Sequence, residues 1–361
     1  MARKPAVLHV SEAFGGGIVS AIDSYVRATS DSYVHYGFFR TRDDHRTSDE
    51  DGIPFRDTHL MQGSLLSFYR SCLEVIKRFE PDLVHFHSSV AGFVGRLLPP
   101  VRPALIYSPH CYGFERSDIP QLVRTAIKWF EAAAAPRLAV LAAIGDYEAE
   151  LSRRFPFPPK IVTLRNAVSL PPRTLPPAKG PPGAVTVGML GRANEQKGVD
   201  FFLSSIKPLK GKNFHFKWIG GAHSSWEARL IEAGVEVTGW VTRDQALAHL
   251  EGLDLYFHTA AWEGTPVSLL EAAQLRRPIV ARAIPHLSGL PIGSMVRHPE
   301  EAARTMLALL DPAKRAALAR VSDQISDCHS IQRLKASLLD CYETALAARR
   351  SVPQHSAARV S

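Results

Sequence analysis

Residues 253–281 read LDLYFHTAAWEGTPVSLLEAAQLRRPIVA. The apolar run Leu253 to Phe257 is a short buried strand, and the loop after it carries Trp262, Glu263 and Gly264. Thr265 is a good N-cap and Pro266 suits the first helical position, so a helix is expected to start there. Arg276 and Arg277 suit its C-terminus, and Pro278 stops it before the next strand, Pro278 to Ala281. Strand, loop, helix and strand form the unit of a parallel sheet with helices on its faces. Glu263 then precedes the helix, and Glu271 is expected to face outward about two turns along it. The amides of Val267 and Ser268, at the helix start, form an anion site. With a carboxylate on either side, such a site suits a phosphorylated sugar: amides hold the phosphate and carboxylates accept hydrogen bonds from hydroxyls.

The same alternation extends in both directions. Upstream, Val7 to Val10, Val34 to Phe39, Leu83 to Phe86, Ala104 to Tyr107 and Leu138 to Ile144 read as strands, with helices over Ile18 to Val26, Leu65 to Phe79 and Gln121 to Ala135. The proline-rich stretch 171–183 then reads as a semi-rigid linker. Beyond it come strands at Ala184 to Leu190, Phe214 to Ile219 and Val235 to Thr238, a helix at Val199 to Ile206, and a helical pattern from Glu300 to Ala347. The last residues, with Arg349, Arg350 and Arg359, read as a frayed basic tail. The fold class is therefore α/β, with an N-terminal domain over 1–170, a linker over 171–183 and a C-terminal domain over 184–330. Residues 331–361 are a helix that can cross back to the first domain, followed by the tail.

Composition narrows the function classes. A chain of 361 residues, 45% hydrophobic and 22% charged, has the make-up of ordinary globular domains, which excludes a disordered, collagen-like or disulfide-stapled chain. Cys72, Cys111, Cys328 and Cys341 are scattered without a CxxC pair, which suits a reducing compartment and argues against structural zinc. The segment Met1 to Val10 is too short for a signal peptide, and Ala132 to Ile144, broken by Pro136 and Arg137, is too short for a membrane helix. The expectation is a cytoplasmic protein, with peripheral contact at the inner face of the membrane left open. Lys plus Arg outnumber Asp plus Glu by 43 to 35, a net charge of +8. That excess suits nucleic acid, an anionic membrane or phosphorylated substrates. The basic residues are dispersed, in pairs at most, without the aromatic-interleaved cluster of a nucleic-acid binder.

Glu263 and Glu271, with seven residues between them, match the E-x7-E motif of the retaining nucleotide-sugar glycosyltransferases of family four, and EGTPVSLLEAAQLRRPIVA resembles that family's signature along its length. Gly191-Arg192 and Lys197-Gly198, after the first strand of the second domain, resemble the family's glycine-Arg and Lys-Gly loop. Gly15-Gly16-Gly17 looks like its first-domain glycine loop, and Pro109-His110 lies where the family places a histidine on the donor sugar. The resemblance implies the GT-B fold, two Rossmann-like domains facing across a cleft, with acceptor on the first and donor on the second. It also implies a catalytic set of Glu263, His110, Arg192 and Lys197. The implied donor-binding set is Gly16, Gly17, Arg192, Lys197, Glu263, Thr265, Pro266, Val267 and Glu271. Arg192 and Lys197 would stabilise the departing diphosphate, Glu263 would orient sugar hydroxyls and Glu271 the ribose. Near the acceptor, His87, at its strand's exit, Tyr112 and Glu115 are candidates. Read singly, each has an ordinary alternative: a solvated helix glutamate, surface charges, core histidines, a glycine turn.

Some segments depart from the family pattern. Asn166-Ala167-Val168-Ser169 stands where Asn-Gly-Val-Asp is common, Arg282 to His286 lacks a glycine pair, and His258 replaces a small or apolar residue. The string Asp49-Glu50-Asp51 resembles a metal-binding D-x-D, but it lies in a polar run rather than at the end of an apolar strand. No metal and no essential cofactor are therefore expected. A dinucleotide oxidoreductase would need G-x-G-x-x-G after a strand, which neither domain has. The expectation is a nucleotide-sugar glycosyltransferase acting on a saccharide or lipid-linked acceptor. Alternatives are a phosphorylase or sugar-nucleotide epimerase of the same fold, and a non-catalytic binder of nucleic acid or membrane. Oligomeric state is not readable.

Overall fold

The computed structural model describes residues 3–41, 52–221 and 224–351. The Asp49-Glu50-Asp51 string and Arg359 lie outside them. In chain order the first domain comprises β1 (Ala6–Ser11), α1 (Gly17–Thr29), β2 (Val34–Arg40), β3 (Asp57–Met61), α2 (Leu65–Phe79), β4 (Leu83–His87) and α3 (Ser89–Leu97). It continues through β5 (Ala104–Ser108), α4 (Gln121–Ala134), β6 (Val140–Ala143), α5 (Asp146–Arg153) and β7 (Lys160–Thr163). The second holds β8 (Val185–Leu190), α6 (Val199–Ile206), β9 (Phe214–Ile219), α7 (Ser224–Glu232), β10 (Glu236–Val237), α8 (Arg243–Glu251) and β11 (Leu255–His258). After these come α9 (Val267–Gln274), β12 (Ile279–Arg282), β13 (Met295–Val296), α10 (Pro299–Ala308), α11 (Pro312–Cys328) and α12 (Ile331–Ser351).

Apolar runs form the central strands because both faces are covered: every residue of β1, β4 and β5 is buried. Among the described residues the first sheet has the order β3-β2-β1-β4-β5-β6-β7 and the second β10-β9-β8-β11-β12-β13, each all-parallel. Each order reverses direction beside its first strand, and the crevice at such a switch point is where α/β sheets bind ligands. The two exits that matter are those of β1 and β4 in one domain and of β8 and β11 in the other.

Sequence and structure differ at several points. The helical run 300–347 divides into three helices, with breaks before Pro312 and after Cys328. Arg349 and Arg350 belong to α12 rather than to a frayed tail, and Arg349 pairs with Asp82 at 2.7 Å. α12 lies on the first domain, where Leu334, Leu338, Cys341 and Tyr342 join Val7, Tyr25 and Leu83 in one buried cluster. The proline-rich stretch is fastened to the second domain: Ala178 N–H donates to Ala248 O (2.9 Å), and Thr174 Oγ1 donates to Asp244 Oδ2 (2.7 Å). No helix among the described residues is long and apolar enough to cross a membrane.

Candidate active site

The second domain builds its half of the site by strapping two loops together. The loop after β8 has Gly191 and Gly198 in left-handed conformations (φ 150° and 72°), and a Cβ on Gly198 would collide with the Thr259 carbonyl. Thr259 Oγ1 donates to Lys197 O (2.7 Å), and Ala261 N–H donates to Gln196 O (2.8 Å). The strap brings Lys197 to Glu263, and Nζ forms an ion pair with Oε1. Three residues, Gly264, Thr265 and Pro266, separate Glu263 from the start of α9. There the Leu269 and Leu270 amides are spent on Pro266 O, which leaves Val267 and Ser268 N–H outside the helical ladder.

Thr265 does something other than cap α9. Its hydroxyl donates across the domain boundary to Ile144 O (2.8 Å), and Pro266 takes the cap position. Gly264 lies against the first domain as well: a Cβ there would collide with Ile144 and stand 3.2 Å from the His110 carbonyl carbon. On the first-domain side, Gly16 adopts φ 58° ahead of α1, and a Cβ on Gly17 would reach Val267 Cγ2 at 3.6 Å. The N-termini of α1 and α9 therefore meet.

Between the domains lies a cleft of about 350 Å³, lined by His110, Cys111, Arg116 and Asp118 on one side and by Arg192 and Trp262 among others on the second. That is the size of a small-ligand site. A hollow of about 30 Å³ beneath the linker, at Arg173 and Glu251, is too small for a sugar. His110 and Cys111 both have positive φ (54° and 85°), a strained pair for residues with side chains. Glu148 on α5 holds that corner: its carboxylate accepts from Cys111 N–H (3.0 Å) and Ile144 N–H (2.8 Å), and burial raises its pKa to about 7.

Several predicted residues are placed differently from expectation. Glu271 does not face outward. It is buried, and Arg243 Nη2 lies 2.6 Å from Oε1. Burial raises its pKa while Arg243 opposes the shift. The reason is that α8 covers the face of α9 that a lone helix would leave to solvent. Tyr112 is wholly buried, stacked on Phe114 with its hydroxyl 2.7 Å from Ser152 Oγ, and offers no atom to an acceptor. Glu115 faces His286 Nε2 at 3.0 Å, so the departure noted at Arg282 to His286 supplies an inter-domain partner. His87 is also wholly buried, and its Nδ1 lies 3.1 Å from His110 Nε2. It reaches the cleft only through that ring. Among the described residues two clusters have metal-ligand spacing, His9/His85/His87 and Cys111/Glu115/His286. In the first, every ring nitrogen already faces a hydrogen-bonding partner.

Glu148, Arg243, Trp262 and the buried histidines were not singled out by sequence or were given other roles. For His9 a signal existed: histidines recur near the C-terminal ends of β1, β4 and β5, the edge that faces the cleft.

Residues 16–167 match the glycosyl transferase 4-like domain, and residues 184–312 match the glycosyl transferases group 1 domain. On two parallel sheets facing across a cleft, these matches make the chain a glycosyltransferase of the GT-B fold. More particularly, it is 24% identical over 301 residues to an uncharacterized 41.2 kDa protein in the cps region of Klebsiella pneumoniae, covering 78% of this chain and 82% of that one. It is also 24% identical over 245 residues to the Escherichia coli UDP-Gal:alpha-D-GlcNAc-diphosphoundecaprenol alpha-1,3-galactosyltransferase, covering 61% of this chain and 62% of that enzyme. Sucrose-phosphate synthase from Thermosynechococcus elongatus superposes with a TM-score of 0.78 at 15% identity, over 96% of this chain and 100% of that one, which is a likeness of fold.

Proposed function

We propose that this glycosyltransferase takes a nucleoside-diphosphate sugar as donor and transfers the sugar, with retention, to a hydroxyl of a saccharide or lipid-linked acceptor, without an essential metal. The observation that carries the reading is the Lys197–Glu263 pair on the second domain, beside a cleft with Arg192 on one wall and His110 on the other. Departure of a nucleoside diphosphate builds charge on its β-phosphate. Arg192, Lys197 and the α9 amides are the groups that offset it, and the departing oxygen takes the acceptor proton. Glu263 is released from Lys197 as the phosphate arrives and turns to the sugar hydroxyls. Glu271, with Arg243, receives the ribose. The E-x7-E spacing supports a retaining reaction, and the E. coli relative's uridine donor and lipid-linked acceptor support those two classes. A thermal-shift panel of UDP, GDP, ADP, CDP and dTDP sugars tests the donor class, since a ligand of the native state raises Tm by mass action. One nucleotide should stabilise the wild type and fail to stabilise Arg192→Ala. Equal stabilisation of both would remove Arg192 from the site.

The same reading places the protein beside an anionic membrane. On α4, Leu122 and Trp129 are exposed on one face, next to the exposed Lys128. An apolar row flanked by cations is the pattern of an interfacial helix. Salt-sensitive sedimentation with phosphatidylglycerol vesicles, reduced in Trp129→Ala, is the expected result. No sedimentation at low salt would refute this contact.

A further inference from the structure

Three buried histidines, His35, His9 and His87, and the half-buried His110 form a hydrogen-bonded chain that ends in the cleft. His35 Nε2 lies 3.1 Å from Thr29 Oγ1, and His35 Nδ1 lies 3.0 Å from His9 Nε2. His9 Nδ1 lies 3.0 Å from His87 Nε2, and His87 Nδ1 lies 3.1 Å from His110 Nε2. The parallel register explains how the rings meet. His9 pairs with His85 and Ser11 with His87, so β1 and β4 project imidazoles into one layer. His85 and His87, two residues apart, share a face, with ring centroids 4.1 Å apart.

The far end fixes the polarity. Thr29 has one hydroxyl hydrogen, which it donates to Tyr25 O at 2.7 Å. Thr29 Oγ1 can therefore only accept from His35, and His35 carries its hydrogen on Nε2. Burial pushes the pKa of His35 and His110 down to about 4 and holds His9 and His87 well below the ordinary value, so each ring carries one hydrogen at neutral pH. His35 Nδ1 is then an acceptor, His9 must donate to it from Nε2, and the same logic passes through His87 to His110. His110 Nδ1 is left as the one ring nitrogen of the chain without a protein partner among the described residues, on a ring that lines the cleft. His85, alongside, obeys the same rule: Ser108 Oγ donates to Ala142 O (2.8 Å) and so accepts from His85 Nε2 (2.9 Å).

We propose that Thr29, His35, His9 and His87 are positioning residues that hold His110 as the Nε2–H tautomer, so that His110 Nδ1 meets the substrate only as a hydrogen-bond acceptor and selects a donor sugar with a hydroxyl hydrogen directed at it. The proposal rests on the reading of the cleft as the donor site. The selectivity is one of direction. A sugar whose group at that position can only accept, such as an O-methyl or fluoro derivative, leaves two lone pairs facing each other.

The test uses the full chain labelled with ¹⁵N-histidine, without nucleotide, at pH 7.5, with His110→Gln to assign the His110 signals. Long-range ¹H–¹⁵N spectra should show His110 as the Nε2–H tautomer. Thr29→Val removes the acceptor at the far end and should leave His110 as a mixture of tautomers. In that variant the donor KM should rise by the inverse of the fraction left as Nε2–H, about two-fold for an even mixture and about ten-fold if one tenth remains, while kcat holds within about two-fold. Thr29→Ser should restore both the spectrum and KM, which a role in packing alone would not require. An Nδ1–H tautomer at His110 in the wild type overturns the proposal. So does a Thr29→Val protein with wild-type spectrum and KM. Should Thr29→Val not fold, the wild-type spectrum decides. If no nucleotide sugar is turned over while the spectra behave as stated, the donor reading fails and the relay stands.

Discussion

Glu148 offers a test of how the strained corner beneath the cleft is held. Its carboxylate accepts two backbone hydrogens, from Cys111 at 3.0 Å and Ile144 at 2.8 Å, while wholly buried. Burial lifts its pKa from the ordinary 4.5 to about 7. The unfolded chain therefore loses this proton before the native chain does. The stability linked to it is fully present below about pH 4.5 and is lost as the pH rises through 7, a change of about 3 kcal/mol. Glu148→Gln removes the titration and turns one acceptor into an N–H facing a backbone N–H, at a cost of about 1–3 kcal/mol that does not vary with pH. The variant should thus be the less stable protein near pH 4.5, and its disadvantage should shrink or reverse by pH 8. Urea unfolding followed by tryptophan fluorescence, at constant ionic strength across that range, gives the difference between the two curves. Parallel curves would refute the buried-carboxylate account.

The two motif glutamates should separate kinetically. Glu271→Ala should raise the donor KM by about ten-fold, from the loss of about 1–3 kcal/mol of ribose hydrogen bonding, with a smaller change in kcat. Glu263→Ala should lower kcat sharply, because its bonds to the sugar matter most as the sugar is transferred. An unchanged KM in the first or a wild-type kcat in the second would sink the corresponding role. Chelation with EDTA should leave turnover intact, and a loss reversed by manganese would overturn the metal-free reading.

The parts of the fold that were legible in the sequence were those whose chemistry is local. β1, β4, β5, β8 and β9 are short apolar runs, and α2 and α6 fall where helical periodicity puts them. β3 was missed because it is a sheet edge. Its residues Asp57, Thr58 and Leu60 are exposed, so no apolar pattern marks it. β10 was blurred, and β13 was missed, because each is two residues long. The E-x7-E loop and helix were readable, since capping, proline placement and spacing are all sequence-local. The surroundings of Glu271 were not, because Arg243 comes from another helix. The histidine relay depends on strand register and on how one threonine spends its hydrogen. Neither is written in any single segment.

The placement of α12 bears on how the protein can be made. Leu334, Leu338 and Tyr342 complete the buried cluster that Val7 and Leu83 begin, yet they leave the ribosome only after the whole second domain. The first domain therefore waits for its lid until the second has been synthesised. Two segments far apart in sequence converge as well. Arg3 and Arg349 both reach the carboxylate of Asp82. Where the chain crosses between domains, His329 Nδ1 lies 2.6 Å from Asn166 O, so the outgoing and returning segments are tied to each other. A fragment ending near residue 170 would leave an apolar sheet face bare. The two domains, separate in architecture, are one unit in biosynthesis.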